Sequence, residues 1–146
     1  MSYVRVWIHT VWGTKNREHF FTRAIRPQVL GHIHKNAKDK GIYIDRLNGD
    51  SDHVHCLFGL NADMTIAKTL QLIKDESAYW INKEKVTPVR FEWADEHYAI
   101  SVSESDLDRV RAYIDNQEEH HKKTIPQDGT EEVEEFLRKH NFTHHG

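Results

Sequence analysis

The chain has 146 residues, of which 38% are hydrophobic and 29% are charged, and its formal net charge is −3. This length fits a single domain with a buried core, and no apolar run approaches the roughly 20 residues of a membrane-spanning helix. Cys56 is the single cysteine, so no internal disulfide can form, and the first residues lack a signal-peptide pattern. We therefore expect a cytoplasmic protein with no membrane partner.

Charge is unevenly distributed along the chain. Residues 1–41 contain eight Lys or Arg and two acidic residues, whereas residues 127–146 contain five acidic residues and two Lys or Arg. A basic segment can hold phosphates by displacing their counterions, although a solvated charged surface would have the same composition. Nucleic-acid binding by the first third of the chain therefore stays open despite the negative net charge.

The first half of the chain predicts the order strand, helix, strand, strand. Hydrophobic residues at alternate positions predict a buried first strand over 4–12. A helix follows, with Pro27 in its first turn and Gly41 just past its end. Two strands, over 42–47 and 53–60, are joined by a tight turn and so predict a hairpin.

The second half continues with helix, strand, helix. Thr65 is placed to cap a helix with one hydrophobic stripe, which is interrupted at Thr87-Pro88. A fourth strand is predicted over 98–102, and serines just after it can cap the next helix. The buried stripe of that helix consists of Leu107, Val110 and Ile114.

This order predicts an α+β fold of the ferredoxin-like (split β-α-β) type, with an antiparallel sheet and helices packed on one face. We assign residues 1–126 to a single domain. Residues 127–146 are predicted to form a short acidic C-terminal helix and a tail. Because such a fold serves many functions, only the residues of a site can indicate the activity.

A pair of histidines stands out in the third predicted strand, within Asp52-His53-Val54-His55. Side chains alternate along a strand, so His53 and His55 leave the same face. A lone buried histidine is more often part of the core than a ligand. Two on one face of an apolar strand are costly to bury without partners, so the pair indicates metal binding or catalysis.

Tyr113 and Gln117 are four residues apart in the last of these helices, which puts a phenol and an amide oxygen on one helix face about 5–6 Å apart. Tyr113 lies one residue off the buried stripe, at the edge between core and solvent. An aromatic residue on such a helix is usually part of the core, but the nearby Asn116, His120 and His121 favour a functional polar face. Beside a metal ion, a phenol can serve as a nucleophile.

The chain resembles the single-tyrosine transposases of the HUH endonuclease group, which are carried by the smallest bacterial insertion sequences. The resemblance spans nearly the whole chain, and the histidine and tyrosine motifs are its most specific parts. It rests on His9-Thr10-Val-Trp-Gly-Thr14-Lys15-Asn-Arg17, Asn48-Gly49-Asp50-Ser-Asp52-His53-Val54-His55-Cys-Leu, Ile73-Lys74 with Ser77, Ser101-Val-Ser103, and Tyr113-Ile-Asp-Asn-Gln117-Glu-Glu-His-His.

The resemblance implies that His53, His55 and Gln117 bind a divalent ion, Mg²⁺ or Mn²⁺, and that Tyr113 is the nucleophile. It implies cleavage and rejoining of single-stranded DNA with hairpin ends, through a 5′-phosphotyrosine intermediate, in transposition of a small insertion sequence. It also implies a homodimer whose sites can combine histidines from one subunit with the tyrosine of the other. The residues expected to contact DNA are Lys15, Arg17 and Lys74.

Four alternatives stay open. A domesticated copy that processes repeat hairpins would keep the same motifs, as would a protein that binds its DNA ends without moving them. A non-catalytic module for single-stranded DNA or RNA could use the same sheet, although it would require exposed aromatics on the central strands. A metal-dependent hydrolase would use water in place of Tyr113. Histidine ligands also suit zinc, so the sequence does not identify the ion.

Overall fold

The protein's structure, a computed structural model, describes residues 4–117. The predicted C-terminal helix and tail, and the boundary at residue 126, lie outside the described residues. None of the described helices is long and apolar enough to cross a membrane. The elements in chain order are β1 (Trp7–Thr14), α1 (Arg26–Asp39), β2 (Tyr43–Gly49), β3 (His53–Gly59), α2 (Ile66–Lys83), β4 (Trp93–Val102) and α3 (Leu107–Asp115), with short 3₁₀ helices at Lys15–Arg17 and Glu104–Asp106.

The four strands form one antiparallel sheet in the order β2-β3-β1-β4. The ferredoxin-like α+β fold is therefore confirmed. As predicted, β1 is a buried central strand, because it pairs with β3 on one side and with β4 on the other. The pairing of β1 with β3 sets Val11 opposite His55 and Gly13 opposite His53.

The helices cover both faces of the sheet. On one face, α1 and α2 pack on a large hydrophobic core that includes Val54, Cys56 and Phe58 of β3. On the other face, α3 packs on Leu57, whose side chain points away from that core because strand residues alternate. The expected arrangement of helices on one face thus describes α1 and α2, but not α3.

Several predicted boundaries match the structure. The first helix has Pro27 in its first turn, and Gly41 after its end has a φ of +76°, a left-handed conformation that glycine adopts without strain. At the start of α2, the Thr65 hydroxyl accepts a hydrogen bond from the backbone N–H of Lys68 at 3.0 Å. These features depend on neighbouring residues alone.

Other boundaries differ. The first strand begins at Trp7 instead of residue 4, and β4 begins at Trp93 instead of residue 98. The sequence over 93–97 is too polar for its alternation to be recognised, but Thr14 of β1 pairs with Trp93 and extends the strand. The Trp93 indole N–H donates to the Ser77 hydroxyl of α2 at 2.9 Å, which fixes the start of β4 against the helix.

Candidate active site

The two histidines of β3 lie on the face of the sheet that α3 covers. Both His53 and His55 are fully buried, and their ring centroids are 5.1 Å apart. His53 is the first residue of β3, directly after the hairpin loop from β2. As predicted, strand alternation places the two imidazoles on the same side of the sheet. The hairpin loop sets the position of His53, because β3 begins directly after it.

Asp52 orients the first histidine. Its Oδ1 atom is 2.9 Å from Nδ1 of His53, and the carboxylate is buried, with 1% of its side chain exposed. A carboxylate accepts hydrogen bonds, so Nδ1 carries the proton and Nε2 becomes the nitrogen with the lone pair. Histidines that bind metals almost always donate their other ring N–H to a carboxylate, a backbone carbonyl or water, and Asp52 fits the first of these.

The second histidine has a partner that sequence reasoning missed. Nε2 of His9 lies 3.2 Å from Nδ1 of His55, and the fully buried His9 ring is 5.4 Å from the His55 ring. His9 is two residues before Val11, which pairs with His55, so alternation places both imidazoles on one face. This signal could be found only once the register between β1 and β3 was known.

Tyr113 lies on α3 beside these histidines, whereas Gln117, predicted in the same helix, follows two residues after its end. The Tyr113 ring is 5.6 Å from the His55 ring and 6.2 Å from the His9 ring, and the phenol is partly buried. Gln117 is fully buried, and its Nε2 donates to the Tyr113 carbonyl at 3.0 Å. The described residues therefore bring Tyr113, His9 and His55 together within one chain, with Gln117 hydrogen-bonded to the Tyr113 backbone.

Contacts from β2 attach α3 above the histidines. The Arg111 guanidinium donates to both carboxylate oxygens of Asp45, at 2.7 and 3.0 Å, and these hydrogen bonds raise the pKa of Arg111 above its usual range. Near the end of α3, Asn48 donates to the Ile114 carbonyl at 2.9 Å. A two-pronged ion pair restricts helix position more than a single contact does, so Tyr113 is held over the sheet.

The residue types at this site would suit a divalent ion. Two imidazoles and one amide oxygen would form an uncharged ligand set, and the buried Oε1 of Gln117 has no hydrogen-bond partner among residues 4–117. An orphaned buried acceptor fits a cation ligand. Within the described part of the chain, no group of three or more His, Cys, Asp or Glu side chains is arranged to hold a metal, so the candidate set depends on Gln117.

The three residues expected to contact DNA have different surroundings. Exposed Lys15 forms an ion pair with Glu92 at 2.9 Å. Arg17 binds Asp52 at 3.2 Å and so belongs to the surroundings of His53. Lys74 of α2 lies across the sheet from the histidines, where its ammonium donates to backbone carbonyls of β4 at 2.7 and 3.2 Å and burial lowers its pKa.

Comparison with known proteins finds a family whose match includes these site residues. A sequence profile of the family described as "Transposase IS200 like" matches residues 2–117, which span the histidines, Tyr113 and Gln117. The chain belongs to this family. The resemblance to single-tyrosine HUH transposases is thereby confirmed at the level of the family. Among curated proteins, no sequence matches this transposase-family chain.

Two solved structures share its fold. One is a protein of Deinococcus radiodurans R1 provisionally assigned as a transposase, with 23% identity, a TM-score of 0.63, and coverage of 80% of this chain and 95% of that one. The other is a REP-associated tyrosine transposase bound to a REP hairpin, with 20% identity, a TM-score of 0.60, and coverage of 83% and 72%. At these identities the likeness concerns the fold.

Proposed function

We propose that this member of the IS200-like transposase family cleaves and rejoins single-stranded DNA through a covalent bond between Tyr113 and a 5′ phosphate. The observation that carries the proposal is the position of the Tyr113 ring, 5.6 Å from the His55 ring in the same chain. A phenol beside the buried imidazole of a proposed metal ligand suits tyrosine attack next to a bound cation. A core tyrosine would not need these polar neighbours.

The chemical step balances without an energy source. The phenolic oxygen of Tyr113 attacks the scissile phosphorus, and the bond between that phosphorus and the 3′ oxygen breaks. The 3′ oxygen takes up a proton and leaves as a hydroxyl, while the proton of the phenol passes to solvent or a base. Rejoining is the reverse attack by a 3′ hydroxyl on the phosphotyrosine, so the energy of the broken bond is conserved.

The tyrosine needs help at neutral pH, because the pKa of a free phenol is about 10. A bound Mg²⁺ or Mn²⁺ would polarise the phosphate and neutralise charge on the leaving oxygen. His53, His55 and Gln117 are the residues that would hold the ion. Their uncharged ligand set would leave the full charge of the cation facing the anionic phosphate.

Single-stranded DNA with hairpin ends is the proposed partner. The similar REP-associated tyrosine transposase supports this choice, since that protein is bound to a REP hairpin. Cleavage of such DNA would serve either a mobile element or a domesticated protein that processes repeats. Assembly as a homodimer is also proposed, although the Tyr113 contacts with His9 and His55 do not require a second chain for the site.

The experiment that tests the proposal traps the covalent adduct. Full-length protein is incubated with Mn²⁺ and 3′-labelled oligonucleotides that carry a stem-loop flanked by randomised nucleotides, and denaturing gels separate adduct from free DNA. We expect an adduct with the natural protein, none with Tyr113→Phe, and none with His53→Ala. DNA binding by Tyr113→Phe should stay within a few-fold, because the ring is retained.

A matched control is available in Tyr79→Phe. Tyr79 is 64% exposed on α2, on the other side of the sheet, and should keep full activity. An adduct formed by Tyr113→Phe would refute Tyr113 as the nucleophile. Cleavage by Tyr113→Phe without an adduct would instead support a hydrolase that uses water.

A further inference from the structure

We propose that Arg17 is a positioning residue for the metal site, acting through Asp52 on His53. This inference rests on the proposed function and deepens it, since it says what sets the orientation of one proposed metal ligand. Arg17 was expected to contact DNA, but its contact with Asp52 points instead to a role in orienting His53. Three independent features of the described residues support that role.

The first feature is a chain of contacts through one buried carboxylate. Nε of Arg17 is 3.2 Å from Oδ2 of Asp52, while Oδ1 of Asp52 accepts from Nδ1 of His53 at 2.9 Å. Each carboxylate oxygen therefore has its own partner. A carboxylate that is 1% exposed needs a nearby positive charge, and the Arg17 guanidinium supplies one at Oδ2.

The second feature is the backbone that carries the arginine. Asn16 and Arg17 both have left-handed conformations, with φ values of 57° and 55°, although neither is glycine. Consecutive residues of this kind are strained and persist only where surrounding contacts require them. The strand end before them is attached to the same aspartate, because the backbone N–H of Thr14 donates to the Asp52 carbonyl at 2.9 Å.

The third feature is the space that Gly13 leaves. Gly13 pairs with His53 across β1 and β3. A Cβ atom at Gly13 would lie 3.0 Å from Cδ and 3.4 Å from Nε of Arg17. The missing side chain at the position opposite His53 thus opens the route by which Arg17 crosses to Asp52.

These features favour positioning over DNA contact. Besides its Nε contact with Asp52, Arg17 has a buried Nη2 atom, and only 29% of its side chain is exposed, so most of the group is withdrawn from a phosphate in solvent. With Asp52 held in place, the hydrogen bond at Nδ1 fixes the orientation and the tautomer of the His53 ring before any ion binds. Partners of this kind typically change metal affinity by roughly 10–100-fold.

The test measures Mn²⁺ affinity of the full chain by electron paramagnetic resonance, in which free Mn²⁺ is counted directly and no DNA is needed. We expect Arg17→Met to weaken Mn²⁺ binding by roughly 10–100-fold, and Arg17→Lys to recover part of the loss, because lysine keeps the charge without the planar fork. Gly13→Ala keeps every charged group and should cause an intermediate loss by displacing Arg17.

A double-mutant cycle tests whether Arg17 acts through Asp52 or independently of it. If Arg17 acts through Asp52, combining Arg17→Met with Asp52→Asn should weaken Mn²⁺ binding by no more than about threefold beyond the stronger single variant. Arg90→Met is the matched control, since it removes an arginine that is 77% exposed and pairs with Glu92. It should leave Mn²⁺ affinity unchanged.

The results that would overturn this proposal differ from those that would overturn the proposed function. Unchanged Mn²⁺ affinity in folded Arg17→Met, or losses that multiply in the double variant, would overturn the proposal. So would a loss of metal-free DNA binding with Mn²⁺ affinity intact, which would return Arg17 to a DNA-contact role. If the natural protein bound no Mn²⁺, the metal site of the proposed function would fail, and this inference with it.

Discussion

Gly49, the last residue of β2, is the position where adding one methyl group should disrupt the hairpin that leads into His53. Gly49 pairs with Val54, one residue past His53. A Cβ atom at this glycine would lie 2.3 Å from the His53 carbonyl oxygen and 3.1 Å from Cα of Val54. Both are backbone atoms, so no side-chain rotation can relieve the overlap, and the strands themselves must separate.

The size of the effect follows from these distances. Ordinary contact begins at 3.4 Å, so β2 and β3 must separate by about 1 Å at this point. The hydrogen bond from the Asp50 N–H to the His53 carbonyl, now 3.0 Å, lies directly beside the overlap. Losing one such bond costs about 1 kcal/mol, and overpacking adds about 1–3 kcal/mol. We therefore expect Gly49→Ala to lower the free energy of unfolding by about 3 kcal/mol.

Gly31→Ala is the matched control for this substitution. Gly31 lies within α1 and has no atom within 4 Å of its would-be Cβ, so alanine there should raise the free energy of unfolding by about 0.5–1 kcal/mol through its better helix propensity. Urea unfolding of both variants, followed by circular dichroism, gives the comparison. A Gly49→Ala protein within about 0.5 kcal/mol of the natural one would refute the hairpin geometry.

Two further predictions concern the arrangement of the site and the response to pH. Because Tyr113 contacts His55 of its own chain, a purified mixed dimer of Tyr113→Phe and His53→Ala subunits should form no covalent DNA adduct. An adduct would instead support sites shared between subunits. Burial and, secondarily, the Lys74 charge lower the pKa of His97 below its usual 6.5. In the pH range between the lowered pKa and 6.5, the unfolded state therefore binds more protons than the folded state. The free energy of unfolding should therefore fall as the pH drops below about 6.5, and less steeply in His97→Gln. Urea midpoints at pH 7.5 and 5.5 test this, and equal falls in both proteins would contradict it.

Much of the fold and of the site could be predicted from the sequence because the signals involved are local. Strand alternation put His53 and His55 on one face, and helix periodicity put Tyr113 at the edge of the stripe that ends at Ile114. The cap at Thr65 likewise depends on residues within one turn. The family also follows from such motifs, since the matching profile covers both of them.

Tertiary structure alone decided the features that join distant parts of the chain. The packing of α3 on the face opposite α1 and α2 depends on which strand residues it meets, and neighbours in sequence do not encode this. The pairing of His9 with His55 follows from the register of two strands that are 46 positions apart. Arg17 reaches Asp52 only because a left-handed turn and the open space at Gly13 bring it there. Periodicity describes which way a side chain leaves its own element, whereas the partner it meets depends on how the elements pair and pack.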